Sequence, residues 1–405
     1  MRITYLHQYA NLPEHGGSTR SYEMARRLAA AGHQVNLVTS DHRRLHGSPG
    51  RWTVTEQAGF TAHWFGLAYA NQMGYAARAA AFVRFAAASA ARAAALPADV
   101  IFATSTPLTI ALPGVWAARR QGCPMVFEVR DLWPDVPIAL GALPGPLGPA
   151  AGLLERFAYR SSARVVALSP GMRDGVTATG YPSERVTVVP NSCDFDVFGL
   201  PPEAGHAIRS GTPWLGGRPL VVYAGALGKV NGVSYVVRLA QQMSASRPDV
   251  RFAVIGDGRE EAMVRDLARQ AHVLGTSLHM LPPMPKPEVA RWLSASTLTM
   301  STVIDVPQLW PNSANKFFDS LAAGRPIAIN HGGWQADLLA ETGAGLVLHP
   351  TDAAAGAAVL AGVLDDQDWL TAASRAASDL GRRRFSRDAL AADLERVLRD
   401  AADRA

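Results

Sequence analysis

Lys316 opens a helical pattern within residues 309–329, "LWPNSANKFFDSLAAGRPIAI", one residue after Asn315 and three before Asp319. An ammonium in the first turn of a helix opposes the positive end of the helix dipole unless an anion occupies the site. A local conflict of that kind marks a phosphate-binding position. Asp319 is then placed to accept hydrogen bonds from two neighbouring hydroxyls, such as a ribose diol. The plain alternative is a solvent-exposed ion pair between residues three apart. A second lysine, Lys229, stands in "YAGALGKVNGV", where an apolar run ends at Gly225 and Gly228 leads a loop toward the next helix. It is suited to neutralising a diphosphate, or it is a solvated lysine on a surface turn.

Glu128, Arg130 and Asp131 close the apolar run in "VFEVRDLWPDVPIALGAL", just ahead of Trp133. Three charged groups at the carboxyl end of a central strand need solvent, partners or a ligand. Arg130 and Asp131 suit a clamp on an incoming hydroxyl, as electrostatic stabiliser and proton acceptor; a structural Arg–Asp pair would read the same. Gly16-Gly17 ends the loop after the first apolar run, with Glu14 before it and Ser18 or Thr19 ready to cap the following helix. Such a loop offers backbone N–H groups to a phosphate or sugar, or is only a turn. Its spacing is not G-x-G-x-x-G, so the dinucleotide fingerprint is absent. Gly256 and Gly258 follow another buried run, and the proline-stiffened "LPPMPKPE" around Met284 suits either a flat base edge or a rigid connection.

These residues need strands to carry them, and the chain supplies two series. The first half shows β-like runs at 2–5, 34–39, 100–103, 125–128, 165–168 and 186–189, with helical patterns such as 18–31 and 108–121 between them. The second restarts at 220–223 and continues at 252–255, 278–280, 298–300, 326–329 and 345–348. Short β-branched strands alternating with helices predict parallel sheets joined by right-handed crossovers. Residues 191–217, rich in Pro and Gly, read as a linker. The expected architecture is α/β, two doubly wound Rossmann-like domains facing across a cleft, 1–195 and 196–385. Ligands of such sheets bind beyond the carboxyl ends of the strands, where every candidate above falls.

At 405 residues two domains are expected, and 48% apolar with 18% charged residues describes a globular chain. Two cysteines, Cys123 and Cys193, exclude a disulfide scaffold and a cysteine-built zinc site. One basic residue followed by a polar loop at the start predicts no secretory leader, and no run of about 18 apolar residues is present. The expected location is cytoplasmic. A net charge of +5, scattered rather than blocked, favours anionic small partners and argues against nucleic acid.

Within 71–95, helical counting gathers alanines with Val83 on one side and Arg78, Arg84 and Arg92, overlapped by Tyr75, Phe82 and Phe85, toward the other. The expectation is an alanine face pressed on the domain, with aromatic and basic groups free for the inner membrane surface or a lipid-linked acceptor. A surface helix whose aromatics tuck under a loop is the alternative.

The run from "PEHGG" through "RSYEMARRLAAAGHQV", with "VRDLWPDVPIALGAL", "YAGALGKVNG" and "NKFFDSLAAGRPIAI" in that order, resembles the retaining, GT-B-fold glycosyltransferases of family 4. It is most similar to the subgroup of fucosamine-transferase-like proteins of bacterial polysaccharide assembly. The resemblance implies transfer of an amino or deoxy hexose from a nucleotide diphosphate sugar, UDP-linked, with retention. The acceptor would be a glycan, a lipid-linked molecule or a small molecule, bound by the first domain. Gly16 and Gly17 would approach the donor, and Lys229 and Lys316 would hold its diphosphate. Asp319 would take the ribose, and backbone near Met284 the base. Positive side chains and helix ends replace a metal, and 386–405 would return to the first domain. The larger branch carries two glutamates eight apart. Here the second falls at Asp319 and the first near Pro311, which leaves the donor sugar open. A sugar-nucleotide epimerase and a non-catalytic sugar-nucleotide-binding protein are the alternatives.

Overall fold

The computed structural model describes the chain apart from Gly16, Arg44, 68–74, Pro144 and Ala405, and apart from the side chains of His15, Tyr75, Ala76, Arg78 and Ala79. Two compact units divide it. The first takes Met1–Pro13, Ser18–Pro190 and Asp388–Ala405, the second Glu14–Gly17 and Asn191–Arg387.

The first unit runs β1 (Arg2–Leu6), α1 (Arg20–Ala30), β2 (Gln34–Asp41), β3 (Trp52–Gln57), β4 (Phe60–Gly66), α2 (Tyr75–Ala95), β5 (Val100–Thr104) and α3 (Ala111–Gln121). It continues with β6 (Met125–Val129), α4 (Asp135–Ala139), α5 (Leu147–Arg160), β7 (Arg164–Ala167), α6 (Pro170–Ala178) and β8 (Val186–Val188). The sheet order is β3-β4-β2-β1-β5-β6-β7-β8, parallel except where β3 meets β4. Strands covered by helices on both faces are apolar throughout rather than alternating. Every residue of β5 and of β6 is buried.

The β3–β4 hairpin is absent from the sequence reading. Its turn, Ala58-Gly59, takes positive φ at both residues (37° and 89°) without the Asn-Gly or Asp-Gly signature that announces such turns. β4 then pairs parallel to β2 and extends the sheet.

The second unit holds α7 (Phe195–Phe198), α8 (Pro202–Gly211), β9 (Leu220–Ala224), α9 (Ser234–Ser246), β10 (Arg251–Ile255), α10 (Glu261–Gln270), β11 (Leu278–Leu281) and α11 (Lys286–Ala295). It goes on through β12 (Leu298–Ser301), α12 (Asn315–Ala322), β13 (Ile327–Ile329), α13 (Trp334–Thr342), β14 (Gly345–Val347), α14 (Ala353–Asp365) and α15 (Gln367–Arg384). Its sheet is wholly parallel in the order β11-β10-β9-β12-β13-β14. Residues 191–217 are not a bare linker. They carry α8, which lies close on α11: a Cβ at Gly205 would stand 2.5 Å from the Ser294 carbonyl oxygen. Glycine there permits an approach that composition alone reads as flexibility.

The last helix, α16 (Arg387–Ala402), is tied to the first unit. Arg27 Nε meets Asp388 Oδ1 at 2.6 Å, and His33 Nε2 meets Glu395 Oε1 at 2.9 Å.

The α2 face differs from the expectation. Ala81, Phe85, Ser89 and Ala93 are buried at four-residue spacing, while Val83 is 68% exposed. Burying one phenyl ring is worth about 1.5–3 kcal/mol against about 0.8 for a methyl group. The single Phe85 therefore sets the rotation of the helix over its many alanines. Arg92 also turns inward, bonding His63 Nδ1 at 2.8 Å through Nη2.

Candidate active site

In the second unit the strand ends converge on Lys316. α12 starts at Asn315, after Asn312 Oδ1 accepts the Ala314 N–H at 3.2 Å. Lys316 is thus in the first turn, and its half-buried side chain reaches back to the loop after β9. Nζ donates to Asn231 Oδ1 at 3.0 Å and lies 5.3 Å from the Tyr223 ring centroid. No carboxylate of the described residues pairs with it. Burial lowers the ammonium to a pKa of about 8, and Asp319 only partly offsets this.

Asp319 lies one turn further along and forms no ion pair with Lys316, contrary to the surface-pair reading. Its half-buried carboxyl bonds no described residue. Burial raises it to about 6, against the pull of Lys286 and Arg387, with Asp194 adding to the rise. A cation and an acid therefore stand three residues apart, each without a charged partner in contact.

The glycines explain how the strands allow this. A Cβ at Gly225 would stand 3.0 Å from Lys316 Cε, so any side chain there would push the ammonium aside. A Cβ at Gly256 would lie 2.1 Å from the Gly225 carbonyl oxygen, which makes the end of β10 glycine by necessity. At Gly228 the nearest atom would be 3.7 Å away, an ordinary contact. Lys229 is exposed at the start of a short 3-10 turn, Lys229–Asn231. Met284 is half-buried between β11 and α11, and the Asn315 side chain bonds no described residue.

In the first unit a buried network stands at the carboxyl ends of β1, β5 and β6. Arg20 opens α1 and donates to Glu128 Oε1 from Nε (3.1 Å) and Nη2 (2.8 Å), and to the carbonyls of Val189 and Pro190 (2.9 and 2.6 Å). Thr104 donates to Glu128 Oε2 at 2.6 Å. Burial pulls the Glu128 carboxyl up, but Arg20, then Arg130 and Thr104, outweigh it and hold the group below its ordinary range.

Arg130 hydrogen-bonds neither acid, though its charge lowers both. Its Nη2 donates to Ser18 Oγ at 3.1 Å and its Nη1 to His7 Nε2 at 3.3 Å. With Nε2 accepting, Nδ1–H of His7 faces Ser21 Oγ at 2.8 Å. Burial, then Arg130 and His42, keep the imidazole neutral far below its usual titration range. Asp131 stands exposed and makes no hydrogen bond among the described residues. Desolvation of the carboxyl pulls it up to about 6, against the pull of Arg130. A fixed guanidinium beside a free carboxylate leaves Asp131 able to accept a proton.

Trp133 is half-buried against the first unit's core, Glu14 is exposed in a 3-10 turn, and Gly17 takes φ +81° on the surface. Gly16 and the Arg78 side chain lie outside the described residues. Phe82 is half-buried and Arg84 exposed on α2; Phe85 is fully buried and belongs to the core, not to an outer face. His7, Arg20 and Asn231 are absent from the sequence reading. Their only signal is position: His7 just after β1, Arg20 at the start of α1 and Asn231 in the loop between β9 and α9.

Among the described residues no group of three or more His, Cys, Asp or Glu is placed to hold a metal ion, and no helix is long and apolar enough to cross a membrane.

Residues 15–192 match the family described as glycosyl transferase 4-like domain, and residues 206–380 match glycosyl transferases group 1. The D-inositol 3-phosphate glycosyltransferase of Thermobispora bispora is 29% identical over 302 residues, 71% of this chain and 68% of that protein. The 2-deoxystreptamine glucosyltransferase of Streptomyces kanamyceticus is 25% identical over 268 residues, 65% of this chain and 67% of that protein. The matched stretch thus spans about two thirds of these relatives. Among solved structures, the sucrose-phosphate synthase of Thermosynechococcus elongatus superposes with a TM-score of 0.78 at 16% identity over all of both chains. Anabaena HepE in complex with UDP-glucose superposes with a TM-score of 0.73 at 16% identity, over 99% of this chain and 100% of that one. At these identities the likeness is one of fold.

Proposed function

From a chain that is a two-domain glycosyltransferase of the GT-B fold, built of a family 4-like and a group 1 domain, we propose a retaining enzyme that takes its sugar from UDP. The sugar is an amino or deoxy hexose. The acceptor hydroxyl belongs to a glycan, a lipid-linked molecule or a small molecule. The relatives named for D-inositol 3-phosphate and 2-deoxystreptamine favour a polyhydroxylated ring at the point of attachment.

One observation supports the donor assignment: the Lys316 ammonium, half-buried in the first turn of α12, has an amide oxygen and an aromatic face for neighbours and no carboxylate in contact among the described residues. A diphosphate supplies the missing charge, with Lys229 approaching from the exposed turn. As the leaving group departs, both lysines stabilise the charge that develops on it. Asp319 receives the ribose hydroxyls and backbone near Met284 the base. The glycine pair Gly16-Gly17 has the role of meeting the donor diphosphate and sugar. Arg130, held by His7 and Ser18, orients the acceptor, and Asp131 takes its proton. These cations do the work of a metal, so transfer proceeds without one. The protein works in the cytoplasm, with peripheral contact at the inner membrane. No observation favours an epimerase.

The test is thermal stability with UDP, GDP, ADP, dTDP and NAD. Ligand at about a hundred times its dissociation constant adds ~2.7 kcal/mol, several degrees in melting temperature. A shift with UDP that disappears in Lys316→Ala supports the assignment. A shift with no nucleotide, or one indifferent to Lys316, removes it.

A further inference from the structure

Of the twelve large apolar side chains exposed among the described residues, six stand on three helices of the first unit: Val83 on α2, Leu112 and Trp116 on α3, and Leu147, Leu153 and Phe157 on α5. Trp116 is 59% exposed and Leu153 68%. These helices form one layer. α2 packs on α3 and α3 on α5, and all three cover the same core through Phe85, Val115 and Ala158. The spacing is regular: Leu112 and Trp116 are four apart, as are Leu153 and Phe157, so each pair shares one side of its helix.

The charge on this layer has one sign. α2 and α3 contain no Asp or Glu, and the lone acid of α5, Glu155, is turned inward to accept from Tyr159 at 3.1 Å. Arg84, Arg119, Arg120, Arg156 and Arg160 all face solvent. Arginines in a last turn complement the helix dipole, which accounts for Arg119, Arg120 and Arg160. It accounts for neither the mid-helix Arg84 and Arg156 nor the exposed tryptophan between them.

We propose that the α2–α3–α5 layer docks on an anionic bilayer surface. Leucine, phenylalanine and tryptophan enter the headgroup boundary, and the guanidinium groups lie at the level of the lipid phosphates. A second copy of the chain is the poorer occupant. Two such faces would set arginine against arginine, with no outward carboxylate on these helices to receive them. The inference deepens the peripheral contact put forward above by naming its face and its lipid, and it does not depend on the transfer reaction.

The experiment is co-sedimentation of the full chain with phosphatidylcholine vesicles, with and without phosphatidylglycerol, at about 0.1 M salt. Binding to the anionic vesicles is expected to be at least about tenfold tighter. Each arginine near the surface contributes about 1 kcal/mol, so Arg119→Ser with Arg120→Ser weakens it about 30-fold. Leu112→Ser with Trp116→Ser also releases the protein, whereas Met263→Ser, at an exposed position on α10, changes nothing. All variants keep the UDP-induced thermal shift of the wild type, so failure of the donor assignment shows there and nowhere else. The proposal is overturned by equal affinity for both vesicle types, or by binding that survives either double substitution. It is also overturned by a dimer in sedimentation velocity that both double substitutions dissolve.

Discussion

Lys316 Nζ donates to Asn231 Oδ1 at 3.0 Å, joining the first turn of α12 to the loop that leaves β9. The amide fixes the ammonium without neutralising it, and Gly225 leaves the space in which it rests. Removing one preorganised charge contact to a departing group costs about 10²–10³-fold in rate. Lys316→Met is therefore expected to lower kcat/KM for the nucleotide sugar by that factor while the melting temperature without ligand holds or rises, since a desolvated charge is gone. Steady-state kinetics beside a thermal melt checks both halves.

Asn231→Asp tests the same contact from the other side. A carboxylate in place of the amide would pair with Lys316 and occupy the charge that a diphosphate needs. The free protein should gain thermal stability, and UDP affinity should drop by at least about tenfold, one unit charge being worth about 1.4 kcal/mol or more in a desolvated pair. Calorimetric titration with UDP decides it: unchanged affinity would mean that the ammonium does not meet the phosphates.

Titration of Lys316 sets a pH dependence. Its ammonium is depressed to about 8 in the free protein, and bound diphosphate favours the charged form. Below pH 8 the group is already protonated and affinity is flat. Above it, binding must take up a proton, so affinity falls by up to about tenfold per pH unit until the complex itself deprotonates. Lys316→Arg keeps its charge and should show no such fall over pH 7–10. Fluorescence or calorimetric titration with UDP across that range measures the slope.

Much of the sheet is legible in the sequence because doubly covered parallel strands are apolar runs. Val100–Thr104 or Leu220–Ala224 can hardly be anything else. The β3–β4 hairpin is not, since Ala58-Gly59 lacks the usual turn signature. Lys316, Asp319, Arg130 and Asp131 are legible, as charged groups beside strand ends and helix starts; Asn231, His7 and Arg20 are not, and neither are the contacts. Asn231 and Lys316 are 85 residues apart, Arg20 and Glu128 108, and neither pairing leaves a periodic trace. Helix counting also fails on α2, because it weighs positions equally whereas burial is weighted by area. One phenylalanine outvotes the alanines.

Arg20 and Glu128 form a pair sealed from water, with side-chain exposures of 2% and 0%. Cutting one partner leaves an uncompensated buried charge, which typically costs 3–5 kcal/mol. Arg20→Met should therefore lower the melting temperature by several degrees or prevent folding. Glu128 is depressed below its unfolded value, so its contribution is present above about pH 4.5 and lost as pH falls further. In Arg20→Met that dependence should reverse: the orphaned carboxyl gains by protonation, and mild acid should narrow the gap to the wild type in thermal melts.

The rotation of α2 makes the last prediction. Phe85 is fully buried and Val83 is 68% exposed, two residues apart on one helix. Truncating a core phenylalanine costs about 3–5 kcal/mol, whereas a surface change away from any contact stays within about 0.5 kcal/mol. Phe85→Ala is thus expected to lower the midpoint of urea unfolding sharply, with Val83→Ser indistinguishable from the wild type. Were the alanine side the buried one, Val83→Ser would be the costly change and Phe85→Ala the silent one.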